Sequence, residues 1–138
     1  MKKVITFGLL GGLIMLAVGM LISQLFLMVA PSLKVEYENP NLFRPWSDPI
    51  MLLYFVHPFL SGTVLAWIWQ KTKALFSSEA SLTKGIRFGF TFWIAATIPG
   101  MLISYSSFPV SFLMITTWSI SVLLQLLCLG LLFARTLK

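Results

Sequence analysis

The sequence predicts an all-α membrane protein: a four-transmembrane-helix bundle with both termini cytoplasmic. Three observations predict it. Four apolar runs are each long enough to cross a bilayer, which takes about 20 mostly apolar residues. Hydrophobic residues make up 58% of the 138 and charged residues only 10%, against about 45–50% and about 25% in soluble domains. Finally, the basic residues collect in alternate connecting segments. A soluble fold of this size could not cover so much apolar surface, so hydrocarbon is the expected solvent.

The runs are read in order as about Val4 to Ala30, Pro49 to Gln70, Ile86 to Ser104 and Pro109 to Ala134, forming one domain over residues 1–138. Pro31 ends the first run. It exceeds the roughly 7–15 apolar residues of a signal sequence and no small-x-small site follows, so a retained anchor is expected. Asp48 is placed to cap the second helix, with Pro49 at its first position, where the missing N–H costs nothing. Ser81 is the expected cap for the run into the third helix, and Pro109 suits the first turn of the fourth. Pro99-Gly100 is expected to kink or thin the third helix.

Charge sets the orientation. Lys2, Lys3, Lys71, Lys73, Lys84, Arg87, Arg135 and Lys138 fall on the side of the termini, and only Lys34 and Arg44 fall on the other. This positive-inside bias places both termini in the cytoplasm and the chain in the cytoplasmic (plasma) membrane. It also argues against dual topology. The net charge of +6 is thereby explained by topology and lipid headgroups, and no basic stretch is long enough to follow several nucleic-acid phosphates. Trp67 and Trp69 fit an inner aromatic belt; Trp46, Tyr105 and Phe108 fit an outer one.

Small residues mark the expected contact faces, because lipid gives little hydrophobic drive between helices. Gly8, Gly12, Gly19 and Ser23 form a stripe on the first helix with steps of four, seven and four. Gly85, Gly89, Ala96 and Gly100 repeat those steps on the third. The chain reads as a pseudo-repeat of two hairpins with these stripes as packing seams; chance spacing of small residues is the competing reading.

Polar side chains inside the spans are the first place to look for function. No Asp, Glu, Lys or Arg lies deep in any span, which argues against proton-coupled transport. His57, the single histidine, lies about 12 Å along the second helix at 1.5 Å per residue. Tyr54, His57 and Ser61 share one face, and Pro58 frees the carbonyl of Tyr54. With Gln24, Thr97 and Thr117 they are candidates for a shallow cavity open to the outer side. The alternative is ordinary hydrogen bonding between and within helices. Thr117, Ser121, Gln125 and Cys128 make a further stripe. One cysteine and one histidine leave no intrachain disulfide and no Cys-rich metal centre; no metal or cofactor is expected.

The outer loop, residues 31–48, carries Tyr37, Leu42, Phe43 and Trp46, apolar enough to lie on the membrane surface or cover the bundle mouth, and Arg44, which suits a lipid phosphate. It reads either as a lid or partner-binding loop or as an interfacial connector anchored by its aromatics. The runs NPNLFRPWSDP, YFVHPF, KGIRFGF and IPGMLISYSSFPVS resemble those of small four-helix membrane proteins of prokaryotic genomes that carry no assigned activity. The spacing of Tyr37, Pro40, Leu42 and Phe43 is similar to an element of one broader such family, with Arg44 where glycine is expected. The resemblance implies the helix count and brings no catalytic residues.

The expected function is a non-enzymatic bundle that binds a lipid-like or apolar ligand or assists a membrane complex. The lipid bilayer is its first partner, with a homo-oligomer or a membrane-protein partner as further expectations. An oligomeric channel or facilitator is the alternative, since four helices are too few to enclose a wide pore. A membrane enzyme has little to work with: one histidine and no intramembrane carboxylate.

Overall fold

A computed structural model describes residues 1–76 and 80–137; Ser77, Ser78 and Glu79 of the 71–87 connection, and Lys138, lie outside the described residues. Helix α1 is Lys2–Val29, followed after Ala30 and Pro31 by a short helix α2, Ser32–Tyr37. A 3₁₀ turn, Pro49–Leu52, leads into α3, Leu53–Thr72, and a second, Lys73–Phe76, leaves it. Helix α4, Ser81–Phe92, passes through a π turn, Trp93–Thr97, into α5, Ile98–Ser107. Helix α6 is Phe112–Thr136. No strand occurs among the described residues. Four helical stretches, Lys2–Val29, Pro49–Leu75, Ser81–Ser107 and Phe112–Thr136, are long and apolar enough to cross a membrane.

The starts and stops follow from side-chain chemistry, with corrections to two expectations. Asp48 accepts a 2.9 Å hydrogen bond from the Ile50 N–H on Oδ1, with Pro49 in the first position. Ser81 is not a cap. It is the first residue inside α4, and its hydroxyl donates to the Ala134 carbonyl at the far end of α6, 2.9 Å away. Pro109 lies ahead of α6 rather than in its first turn; Ser111 caps that helix by accepting from the Met114 N–H. A hydroxyl at the cap satisfies an amide that proline cannot. The stretch expected as loop also hides α2.

Two helix pairs approach backbone to backbone. α1 runs antiparallel to α3: Gly8 faces the Cα of Thr63, Gly12 faces Pro58 and Phe59, and Gly62 lies against the backbones of Gly8 and Gly12. A Cβ on Gly12 would stand 2.8 Å from the Pro58 carbonyl oxygen. In the same way α4 crosses α6: a Cβ on Gly85 would stand 2.7 Å from the Gly130 carbonyl oxygen, and one on Gly89 2.6 Å from that of Leu126. No side chain fits at these separations, so each pair is spaced by the absence of Cβ atoms. α1 and α6 join the pairs less tightly, with the Phe133 ring 3.4 Å from a Cβ built on Gly11. Gly19 faces the amide of Gln125, 3.0 Å from such a Cβ, a flexible contact rather than a backbone crossing.

The seam expected to continue through Ala96 and Gly100 does not. A Cβ on Gly100 would meet nothing within 4 Å, and Ala96 is exposed. The cause is the π turn. The Ile98 N–H donates to the Trp93 carbonyl, five residues back, so one residue is added to the helical count and everything beyond rotates by about 100°. The inward face advances from the phase of Gly85 and Gly89 to Thr97, which is buried, and Met101. Pro99 supplies the reason, since its ring crowds the carbonyl four residues back and it lacks an N–H.

Trp69 closes one end of the bundle. It is 2% exposed, meets Phe88 edge to face with centroids 5.1 Å apart, and also packs on Phe133. Its indole N–H donates to the Leu137 carbonyl at 3.1 Å. The two rings expected in one belt therefore part: Trp67 is exposed, as a belt ring must be, whereas Trp69 belongs to the core with Leu65, Phe88, Leu129 and Phe133.

The glycine crossings give a direct test. Gly12→Leu and Gly89→Leu, each forcing a side chain into backbone, are expected to destabilise the fold by about 1–3 kcal/mol or more, read as a lower midpoint of unfolding in detergent. Gly100→Ala, which meets open space, is expected to hold or raise that midpoint. Equal behaviour of all three would rule out the crossings as the spacing element.

Candidate functional site

One face of α3 is open. Tyr54, His57, Ser61, Leu65 and Trp69 follow one another along α3 at steps of three, four, four and four; each step of four drifts by about 40°, so the line winds slowly around the helix from Trp69 to His57. Burial declines steadily along that line. Trp69 is 2% exposed and Leu65 8%, Ser61 is half-buried, and His57 and Tyr54 are exposed. The opposing helix shows the same gradient, from buried Phe88 through half-buried Phe92 to exposed Ala96, with Leu102 and Ile103 each 67% exposed. α3 and α4 touch at Trp69–Phe88, and with distance from that contact the residues of both helices become exposed. The face of α3 that carries His57 is left uncovered.

His57 Nε2 and Ser61 Oγ share a hydrogen bond of 3.2 Å. Pro58, next to the histidine, is buried in the α1 crossing, so the crossing fixes which way the neighbouring ring projects. A ring nitrogen beside a hydroxyl is the geometry of a base and a nucleophile. Yet among the described residues no carboxylate pairs with the ring to orient it, and the mid-helix amides around it are spent on the helix ladder. Among the described residues no three His, Cys, Asp or Glu side chains gather to hold a metal. What the pair can do is offer a hydrogen bond to a group lying against that face.

The other candidates are placed elsewhere. Gln24 is exposed on α1; Thr97 is buried in the π turn; Thr117 is buried on α6, where its hydroxyl donates to its own helix at the Met114 carbonyl, 2.8 Å away. Of the six, His57 and Ser61 are in hydrogen-bond contact and share the α3 face with Tyr54, whereas Thr97 and Thr117 are buried. Gln125 donates to Ser121 at 3.1 Å on α6, a contact within that helix.

The connection after α1 covers the end of the bundle away from the termini. Leu33, on α2, is 2% exposed and packs with Val110, Met114 and Ile115; Tyr37, Leu42 and Phe43 lie against the same cluster. Trp118 on α6 donates its indole N–H to the Tyr37 hydroxyl at 2.6 Å. Glu36 accepts from both the N–H and the hydroxyl of Ser111, each at 3.0 Å. This carboxylate at the start of α6 complements the partial positive charge of that helix end. Nothing in the spacing of Glu36 and Ser111, 75 residues apart, signals the contact; the only clue is an acid near an apolar run. Beyond Phe43 the segment faces outward: Arg44 pairs with Asp48 at 2.9 Å, and Trp46, 68% exposed, packs edge to face on Tyr54.

Two of these groups carry shifted acidities. Burial raises the Tyr37 phenol above its ordinary 10.0, against the lowering effect of the Trp118 hydrogen bond. The Ile50 N–H, followed by the Arg44 guanidinium, holds Asp48 below its ordinary 3.8. The signs are opposite. The Tyr37 contact is complete below the unfolded value and weakens as pH rises past it, while the Asp48 cap is complete above its unfolded value and is lost as pH falls through the lower folded one. Ultraviolet titration of the three tyrosines is expected to show one phenol ionising last, and Tyr37→Phe is expected to remove that late step; a late step that survives the substitution would assign it elsewhere.

Comparisons of this chain with protein-family models, with curated proteins and with solved structures find no match.

Proposed function

We propose that this chain is a small, non-enzymatic integral membrane protein of the cytoplasmic membrane, with both termini on the cytoplasmic side, that holds a lipid-like ligand on the face of α3 that carries His57. The membrane part rests on four spanning-length helices whose outward surfaces are rich in exposed Leu, Ile, Val and Phe. Orientation rests on the eight basic residues at the termini side against two at the other.

The ligand reading is carried by one observation: a His57–Ser61 pair on an uncovered and otherwise apolar face of α3. A polar pair facing bare hydrocarbon is costly, and a ligand that brings its own oxygen or N–H relieves that cost. The fitting molecule has a flexible apolar body and one hydrogen-bonding group at the depth of His57. No charged group is called for, since no acid or base other than His57 lies on that face of α3. A helix from a second copy could cover the same face and is the competing occupant.

Native mass spectrometry of protein extracted gently from its own membrane tests this. A monomer carrying one lipid-sized adduct is expected. His57→Leu combined with Ser61→Ala is expected to reduce its retention by about thirtyfold, two hydrogen bonds at roughly 1 kcal/mol each. A wild-type dimer without adduct would replace this reading with the oligomeric one.

A further inference from the structure

A second feature lies at the end of the bundle away from the termini. Trp46, Asp48, Met51, Leu52 and Phe55 line a concavity of about 300 Å³ at the entry to α3. Two of its lining residues are aromatic, Trp46 and Phe55, whose rings touch each other with centroids 6.3 Å apart and a tilt of 41°; Trp46, 68% exposed, is open to a cation from outside. Tyr54 braces the pair, edge to face with each ring at 5.5 Å. At the rim, Arg44 and Asp48 form an ion pair of 2.9 Å with the Arg44 side chain 60% exposed. That contact uses one guanidinium nitrogen of a side chain that is largely exposed. Leu52 and Leu53, both exposed, continue from the concavity down the outside of α3.

We propose that this concavity binds the headgroup of a zwitterionic phospholipid, with the phosphate on Arg44 and the ammonium between the Asp48 carboxylate and the exposed Trp46 ring. The inference rests on the membrane placement proposed above, but not on the ligand proposed for the His57 face. Three features of the site select this chemistry. Neighbouring opposite charges match a headgroup whose own opposite charges are joined by a short linker. Aromatic faces attract primary and quaternary ammonium groups alike and offer nothing to an uncharged glycerol headgroup. And this end of the chain carries Lys34 and Arg44 against Glu36, Glu38 and Asp48, so there is no excess positive charge to gather anionic lipids. Asp48 is already ionised and held by the Ile50 N–H and Arg44, so the site is formed before a lipid arrives. The acyl chains would then follow Leu52 and Leu53 into the hydrocarbon.

The experiment is a competition on the full-length, delipidated protein in one detergent, read by native mass spectrometry. Phosphatidylethanolamine, phosphatidylcholine and phosphatidylglycerol with identical acyl chains are added in pairs. The wild type is expected to prefer either zwitterionic lipid to phosphatidylglycerol by about fivefold. Asp48→Asn keeps an oxygen for the Ile50 N–H, so the helix entry is preserved, while the charge is removed; it is expected to bring the ratio to within twofold of one. Trp46→Leu, which keeps apolar bulk, is expected to do the same. Arg44→Gln is expected to weaken all three lipids together, since the phosphate is common to them. A wild-type ratio near one, or a preference that survives both Asp48→Asn and Trp46→Leu, overturns the proposal. The His57→Leu, Ser61→Ala variant is expected to keep the wild-type ratio. A bare His57 face with an intact ratio thus counts against the His57 reading alone, and a flat ratio with the His57-dependent adduct present counts against the headgroup site alone.

Discussion

The architecture depends on two places where helices meet without side chains between them. Gly8, Gly12 and Gly62 let α1 and α3 touch at their backbones, and Gly85, Gly89 and Gly130 do the same for α4 and α6. Contact at that distance gains dispersion over a long line of atoms and fixes the crossing within narrow limits, because sliding or rotating either helix brings a Cβ into backbone. The chain is therefore two rigid hairpins. They are joined along α1 and α6 by larger side chains, Leu129 and Phe133 against Gly11, which tolerate more adjustment. The remaining side, α3 against α4–α5, has no glycine crossing; the two meet at Trp69–Phe88.

Both ends of α6 are completed by other parts of the chain. A helix leaves four amides and four carbonyls without partners inside it. At the start of α6 the Glu36 carboxylate and Ser111 serve the amides. At its end the Trp69 indole and the Lys73 ammonium donate to the Leu137 carbonyl and the Ser81 hydroxyl to that of Ala134. These contacts bind α2, α3 and α4 to the same central helix at opposite ends. The two closures differ in character. The Trp69 end is a packed aromatic wedge, whereas the Glu36 end is a short helix strapped across the mouth by hydrogen bonds and the Leu33 cluster.

Much of this was legible from hydropathy and small-residue spacing. The four apolar runs carry their own signal, as does the Asp48-Pro49 helix entry, because such features are local. Gly12 and Gly89 stand out for the same reason. The parts that escaped reading depend on distant partners or on phase. Ser81 looks like a cap until its hydroxyl is seen to reach Ala134, 53 residues away. Glu36 looks like an exposed acid until Ser111 is brought to it. Trp67 and Trp69 are two residues apart and read alike, yet about 200° of helical rotation separates them, and one becomes core while the other remains exposed. Depth along a helix likewise says nothing of hydrogen-bond partners: the Thr117 hydroxyl donates to its own helix at the Met114 carbonyl.

The π turn shows why phase matters for the site as well as the fold. An uninterrupted α-helix from Ser81 to Ser107 would carry the Gly85–Gly89 face onward through Ala96 and Gly100, and the two small residues would allow α5 to close on α6. The extra residue before Pro99 instead turns Thr97 and Met101 inward and leaves Gly100 facing open space. Helix α5 is then spaced from its neighbour by side chains where α4 is spaced by backbone, so the pair diverges with distance from Gly89. On α3, Trp69 meets Phe88, and beyond Leu65 the line passes to Ser61 and His57, too small or too polar to extend the apolar contact. The uncovered face follows from these two facts together. A proline-driven shift in one helix and the end of a bulky stripe in the other fall at the same end of the molecule, and the His57–Ser61 pair stands where they do.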